Sequence, residues 1–175
     1  MTTRIAFLRA VNVGKRRVTS DQLRAVCEDL GYADVGTYIN SGNAHFETTG
    51  SRASIEQAMG EALEKELGFE CTTFVRTLTE LKKALSAKPF DVADGDTYFI
   101  TFLKDPPTAA QKSALEGLSG DIDTLVVLGR DVHWRMHGTS MESALTKRHW
   151  EKILGPLSST SRNTTMLTKL AARLG

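Results

Sequence analysis

The hydrophobic periodicity of this chain alternates between strand-like and helix-like in a fixed order, and it runs through that order twice. Residues 4–9 are apolar, β-branched and aromatic in short succession, the mark of a strand. A polar loop carrying Asn12, Gly14, Lys15, Arg16 and Arg17 follows. Thr19 and Gln22 then stand at capping-box spacing, where each side chain satisfies a backbone N–H that the first helical turn leaves unpaired. A helix therefore starts at Thr19. It ends at Gly31, a residue that takes a left-handed conformation at little cost. Residues 35–39 and 44–48 read as two further strands, and Asn40-Ser41-Gly42-Asn43 between them has hairpin-turn chemistry. Ile55, Met59, Ala62, Leu63 and Leu67 mark one face of a second helix; Gly68 stops it, and residues 71–76 form a fourth strand.

This order, β-α-β-β-α-β, is that of the ferredoxin-like split βαβ unit. Thr77 to Glu80 opens a short connecting helix, and Pro89-Phe90 closes that segment. The pattern then restarts. A strand over 97–103 precedes a helix capped by Thr108, and a hairpin of 124–128 with 132–136 turns at Gly129-Arg130-Asp131. A helix over 143–154 ends at Gly155-Pro156, and a last helix runs from 163 to 174. Phe7-Leu8-Arg9 and Phe102-Leu103-Lys104 occupy equivalent ends of the two first strands. The expected fold is α+β, with ferredoxin-like halves over 1–76 and 96–175 joined by a connecting helix and loop over 77–95. The second half lacks a clear final strand.

Composition narrows the function classes. With 175 residues, 41% of them hydrophobic, the chain buries well over half of its unfolded surface and needs no metal or disulfide as a staple. A formal net charge of +1 argues against bulk binding to nucleic acid or an acidic membrane. Two cysteines, Cys27 and Cys71, are too few for a disulfide framework and too far apart for a zinc pair. Cys27 shares helical spacing with Leu23, Val26 and Leu30, which makes it a core residue rather than a reactive thiol. The apolar stretch at 5–8 is too short for a signal-peptide core, and no other run has the length of a membrane helix. The reading is a cytoplasmic protein with no membrane association, no cofactor and no metal.

In a split βαβ unit the first two strands run parallel and the third returns between them. The loop after strand one and the hairpin between strands two and three then emerge at the same end of the sheet. Arg9, Asn12, Gly14 and Lys15 thus approach Asn40, Ser41, Gly42 and Asn43. Cations, amides, a hydroxyl and open backbone N–H groups near a helix start suit a small phosphate- or carboxylate-bearing ligand. The plainer alternative is a pair of tight turns with solvated basic residues. Arg162 and Asn163 join the site if the last helix begins at that end. A cation at a helix start opposes the helix dipole, so Arg162 points to a salt bridge or a ligand.

Sharper motifs fail. A P-loop needs Gly where Arg9 stands and Ser or Thr where Arg16 stands. Ser41 has glycine on one side only, so it forms no nucleophile elbow. His133 and His137, four apart on a strand, lie roughly 13 Å from one another, too far to share a metal. His45 reads as a surface strand residue and His149 as part of a solvated basic helix face. The competing class is an RNA-binding or protein-interaction module without catalysis. Phe7 and Phe46 are available for stacking and Lys15-Arg16-Arg17 for phosphates, but the Lys/Arg-Gly-aromatic signature is missing. No pair of residues has the spacing of a general acid and base, so no catalytic role is assigned.

Three segments resemble a bacterial family catalogued as domain-of-unknown-function family 1697. Phe7-Leu8-Arg9-Ala10-Val11-Asn12-Val13-Gly14 is similar to its L-R-G/A-x-N-V-G opening, and Thr37-Tyr38-Ile39-Asn40-Ser41-Gly42-Asn43 to its T-Y-x-x-S-G-N hairpin. Thr160-Ser161-Arg162-Asn163 resembles its T-x-R-N motif, although family members often continue with an aromatic residue and a threonine where this chain has Thr164 and Met166. The resemblance implies two ferredoxin-like halves and carries no activity, substrate or catalytic residue with it.

Overall fold

The computed structural model describes residues 1–9 and 14–175, with the backbone alone at positions 40 and 41. It divides into two units, Met1–Leu81 and Lys82–Gly175. In the first, β1 (Thr2–Leu8), β2 (Ala33–Tyr38), β3 (Asn40–Thr48) and β4 (Thr73–Thr77) form an antiparallel sheet in the order β2-β3-β1-β4. Helices α1 (Ser20–Asp29) and α2 (Arg52–Leu67) connect them in split βαβ fashion. The predicted capping box starts α1: Gln22 N–H donates to Thr19 Oγ1 at 3.1 Å, and Thr19 N–H to Gln22 Oε1 at 2.9 Å. Gly68 ends α2 in the left-handed conformation, with φ 79°.

Alternation along the strands selects the core. Ala6, Leu8, Ala44, Phe46 and Val75 pack on Leu23, Val26 and Cys27 of α1 and on Ile55, Met59 and Leu63 of α2. A carboxylate lies within this packing: Glu56 accepts from Val75 N–H at 3.0 Å and from Arg52 at 2.6 Å. Partners on both oxygens offset its desolvation.

Helix α3 (Leu78–Ala87) follows, started by a second capping box between Thr77 and Glu80. The second unit contains β5 (Thr97–Phe102), α4 (Ala109–Glu116), β6 (Asp123–Leu128), β7 (Asp131–Met136), a short 3-10 helix at Ser140–Glu142, α5 (Lys147–Leu154), β8 (Thr160–Asn163) and α6 (Thr164–Leu174). Its antiparallel sheet has the order β6-β7-β5-β8, position for position that of the first. The fold is α+β with two similar halves.

Two expectations need correction. The second half has a final strand, β8, paired with β5 from Phe99↔Asn163 to Phe102↔Thr160. Its four residues, Thr-Ser-Arg-Asn, are polar throughout and show no alternation, so periodicity does not reveal it. The residues 40–43 assigned to a hairpin turn belong to β3; the reversal centres on Ile39, whose φ is 63°.

The register makes the two sheets correspond residue by residue. One row crosses the first sheet as Gly36, His45, Ile5 and Arg76. The same row in the second is Val126, His133, Ile100 and Arg162. In each, a buried isoleucine is flanked by histidine on one neighbour and arginine on the other. Among the described residues, no helix is long and apolar enough to cross a membrane.

Candidate functional site

At the end of β1 the backbone is tied on both sides. Phe7 pairs with Asn43 of β3, and Arg9 N–H donates to Thr72 O at 2.9 Å, carrying the ladder with β4 one step further. Cys71 Sγ lies 3.8 Å from Arg9 O. The half-buried Arg9 is therefore fixed at the sheet end two residues past the level of Asn43. Asn12 lies outside the described residues. Beyond it, Gly14 takes φ 59°, and among the described residues other than its chain neighbours no heavy atom lies within 4 Å of where a Cβ would sit. Lys15 and Arg17 are exposed. Arg16 is also exposed and holds its guanidinium 5.7 Å from the Phe69 ring centre, a cation–π contact.

The facing hairpin carries a bulge. Thr37 pairs with Ala44 while Tyr38 pairs with Asn40, so Ser41-Gly42-Asn43 are extra residues on the β3 side. Gly42 is buried, and Asn43 is 1% exposed and donates its amide to Tyr38 O at 3.2 Å, bracing the hairpin across its own bulge. The tip residue, Ile39, is 70% exposed with positive φ, a backbone state that β-branched residues adopt rarely and at a cost. Arg9 thus leaves the sheet at the end where Gly42 and Asn43 bulge, since the element order makes β1 and β2 run parallel.

Arg162 and Asn163 belong to the second unit. Arg162 sits on β8 rather than in a helix and donates to Thr160 Oγ1 at 2.7 Å and to Ser161 O at 2.9 Å. Burial draws its guanidinium down to about 10, so it remains charged at neutral pH. Asn163 is the N-cap of α6, accepting from Thr165 N–H at 2.8 Å. Both cysteines are buried free thiols, and burial pushes each up to about 12, away from nucleophilic chemistry. Among the described residues, no group of three or more His, Cys, Asp or Glu side chains is placed to hold a metal ion.

Sequence reasoning missed one polar pair. Tyr98 Oη and His133 Nδ1 lie 2.5 Å apart inside the second unit. Burial lifts the tyrosine to about 12 and lowers the histidine to about 4, so a neutral hydroxyl donates to a neutral imidazole. Only the cross-strand register brings these two together, and no local signal predicts it. His45 also departs from expectation: it is half-buried with its ring over Gly36.

Residues 1–133 match the family described as protein of unknown function, DUF1697. The chain belongs to this family. The match covers the strand-one loop and the Ser-Gly-Asn hairpin and stops within β7, before Arg162. Among solved structures, DUF1697's representative here is similar to a conserved bacterial protein from Streptococcus pneumoniae. The two share 22% identity over 99% of this chain and 98% of that one, with a TM-score of 0.72. At that identity the likeness is one of fold. No curated protein matches the chain.

Proposed function

We propose that this protein binds a small ligand bearing a phosphate or carboxylate group at the end of its first sheet. The observation that carries this reading is the register of β1 on β3, in which Phe7 lies opposite Asn43. Arg9 and Lys15 supply charge; Asn12, Asn43 and the backbone around Gly42 orient the ligand. The sequence supports an anion: Arg4, Arg9, Lys15, Arg16 and Arg17 all precede the first acidic residue, Asp21. Arg4 is engaged with Gly50 O at 3.0 Å, whereas Lys15 and Arg17 are exposed.

The burial of Phe7 and Phe46 favours this reading over RNA recognition, since neither ring face is open for base stacking. We place the protein in the cytoplasm, a compartment in keeping with two free thiols. The role proposed is binding, with no general acid or base assigned.

A thermal-shift screen against nucleotides, sugar phosphates, organic acids and short RNA oligomers tests it. A ligand at a hundred times its Kd adds about 2.7 kcal/mol to the folded state. Lys15→Ala and Arg9→Ala should each remove that shift, and Lys15→Ala should leave the unliganded Tm unchanged because Lys15 is exposed. A panel with no hit, or a hit that survives both substitutions, ends the proposal. Shifts from RNA of many sequences that fade with salt would move the assignment to the RNA-binding alternative.

A further inference from the structure

We infer that the groove between α4 and α5 binds a carboxylate carrying an apolar tail. This site lies wholly within the second unit and does not rest on the anion site proposed above. Ala110, Ala114 and Leu118 line one side and Ile153 the other, around a volume of about 500 Å³. That falls within the roughly 300–1,000 Å³ typical of small-ligand sites. The two alanines, one helical turn apart on α4, keep the floor open because neither projects beyond Cβ.

The polar groups along the groove are donors. His149 Nδ1 accepts from Thr146 N–H at 2.9 Å, closing the capping box that starts α5. With Nδ1 occupied as an acceptor, the ring's proton sits on Nε2, which is thereby a donor. Lys152, in the last turn of α5, lines the same groove. Glu151 is paired with Lys147 at 3.4 Å, while Lys152 has no carboxylate within ion-pair distance among the described residues. Gln111 is committed at both ends, its Oε1 to Thr108 N–H at 2.9 Å and its Nε2 to Ile153 O at 3.5 Å. An apolar trough with a lysine and a histidine among its lining residues, and no acid lining it, complements a carboxylate head and a hydrocarbon tail. A cation near a helix C-terminus also suits the helix dipole. That role affects stability alone and would leave ligand binding untouched.

Isothermal titration of the full chain with octanoate, octanol and acetate separates head from tail. Octanoate should bind, octanol about tenfold more weakly, and acetate not measurably. Lys152→Met should bring octanoate to the level of octanol, Lys152→Arg should retain most of the difference, and Ala114→Phe should abolish both by filling the floor. Ala114 is exposed, so that variant folds. The inference is overturned by octanol binding as tightly as octanoate, by octanoate binding unaffected in Ala114→Phe, or by no heat at millimolar octanoate.

Discussion

Gly36 and His45 face one another across β2 and β3, and a Cβ on Gly36 would lie 2.4 Å from the imidazole Cε1. Replacing a strand glycine by alanine ordinarily helps through the unfolded state, by about 0.4–1 kcal/mol where the backbone allows it. Here the clash decides the sign. Gly36→Ala should destabilise by about 1–3 kcal/mol, since the half-buried ring must leave its rotamer. His45→Ala in the same chain should recover most of that loss, which a double-mutant cycle of urea midpoints reads directly. His133 governs a different variable. Burial holds its imidazole at about 4 against 6.5 in the open chain, so between those values the unfolded state binds a proton that the native state refuses. Its contribution is complete above about 6.5 and is lost as pH falls toward 4, on the order of 3 kcal/mol in all. His133→Gln keeps an acceptor for Tyr98 and should flatten the stability difference between pH 7 and pH 4.5 relative to the parent. An unchanged acid slope would mean that other groups set it.

At the scale of elements, β8 shows how a strand forms without an apolar pattern. Thr101 Oγ1 and Ser161 Oγ lie 2.7 Å apart across the β5–β8 pairing, Arg162 folds back on Thr160, and Thr164 Oγ1 donates to Tyr98 O at 2.9 Å. These polar contacts stand where alternating apolar residues would otherwise announce a strand. Asn163 then hands the chain to α6. Asn163→Ala should cost about 1 kcal/mol and speed amide exchange in the first turn of α6. A variant with unchanged stability and exchange would refute the capping role and return Asn163 to the ligand-site candidates. The same element explains what the sequence could and could not disclose. The box at Thr19 and the cap at Thr108 are local and were legible, as were the apolar faces of α1 and α2. That Arg9 leaves β1 at the sheet end where Asn43 lies was also legible, because the element order makes the first two strands parallel. The bulge at 41–43 and the strand at 160–163 were not, because each is set by which partner residue lies opposite. Nor was the α4–α5 groove, whose walls come from segments some thirty residues apart.

Across the whole molecule, the two sheets solve one layer differently. Ala6 pairs with Val75 in the first; the equivalent pair in the second is Thr101 with Ser161. Thr101 is 0% exposed, so its hydroxyl depends on Ser161 for its hydrogen bond. Removing one partner should leave the other wanting: Thr101→Ala should cost about 1–3 kcal/mol, the penalty of a buried polar group without its bond plus a small cavity. Removing both is another matter, since apolar groups of similar shape replace a buried hydrogen bond nearly neutrally. If the halves are equivalent at this layer, Thr101→Ala with Ser161→Val transplants the first sheet's pair into the second. It should then lie within about 1 kcal/mol of the parent. Both tryptophans, Trp134 and Trp150, belong to the core of the second unit, so their fluorescence during urea unfolding reports on the half that carries the change. Recovery in the double variant would show that the halves share a packing plan as well as a strand order. A double variant as unstable as Thr101→Ala would confine the likeness to topology, with the His-Ile-Arg rows conserving position but not environment.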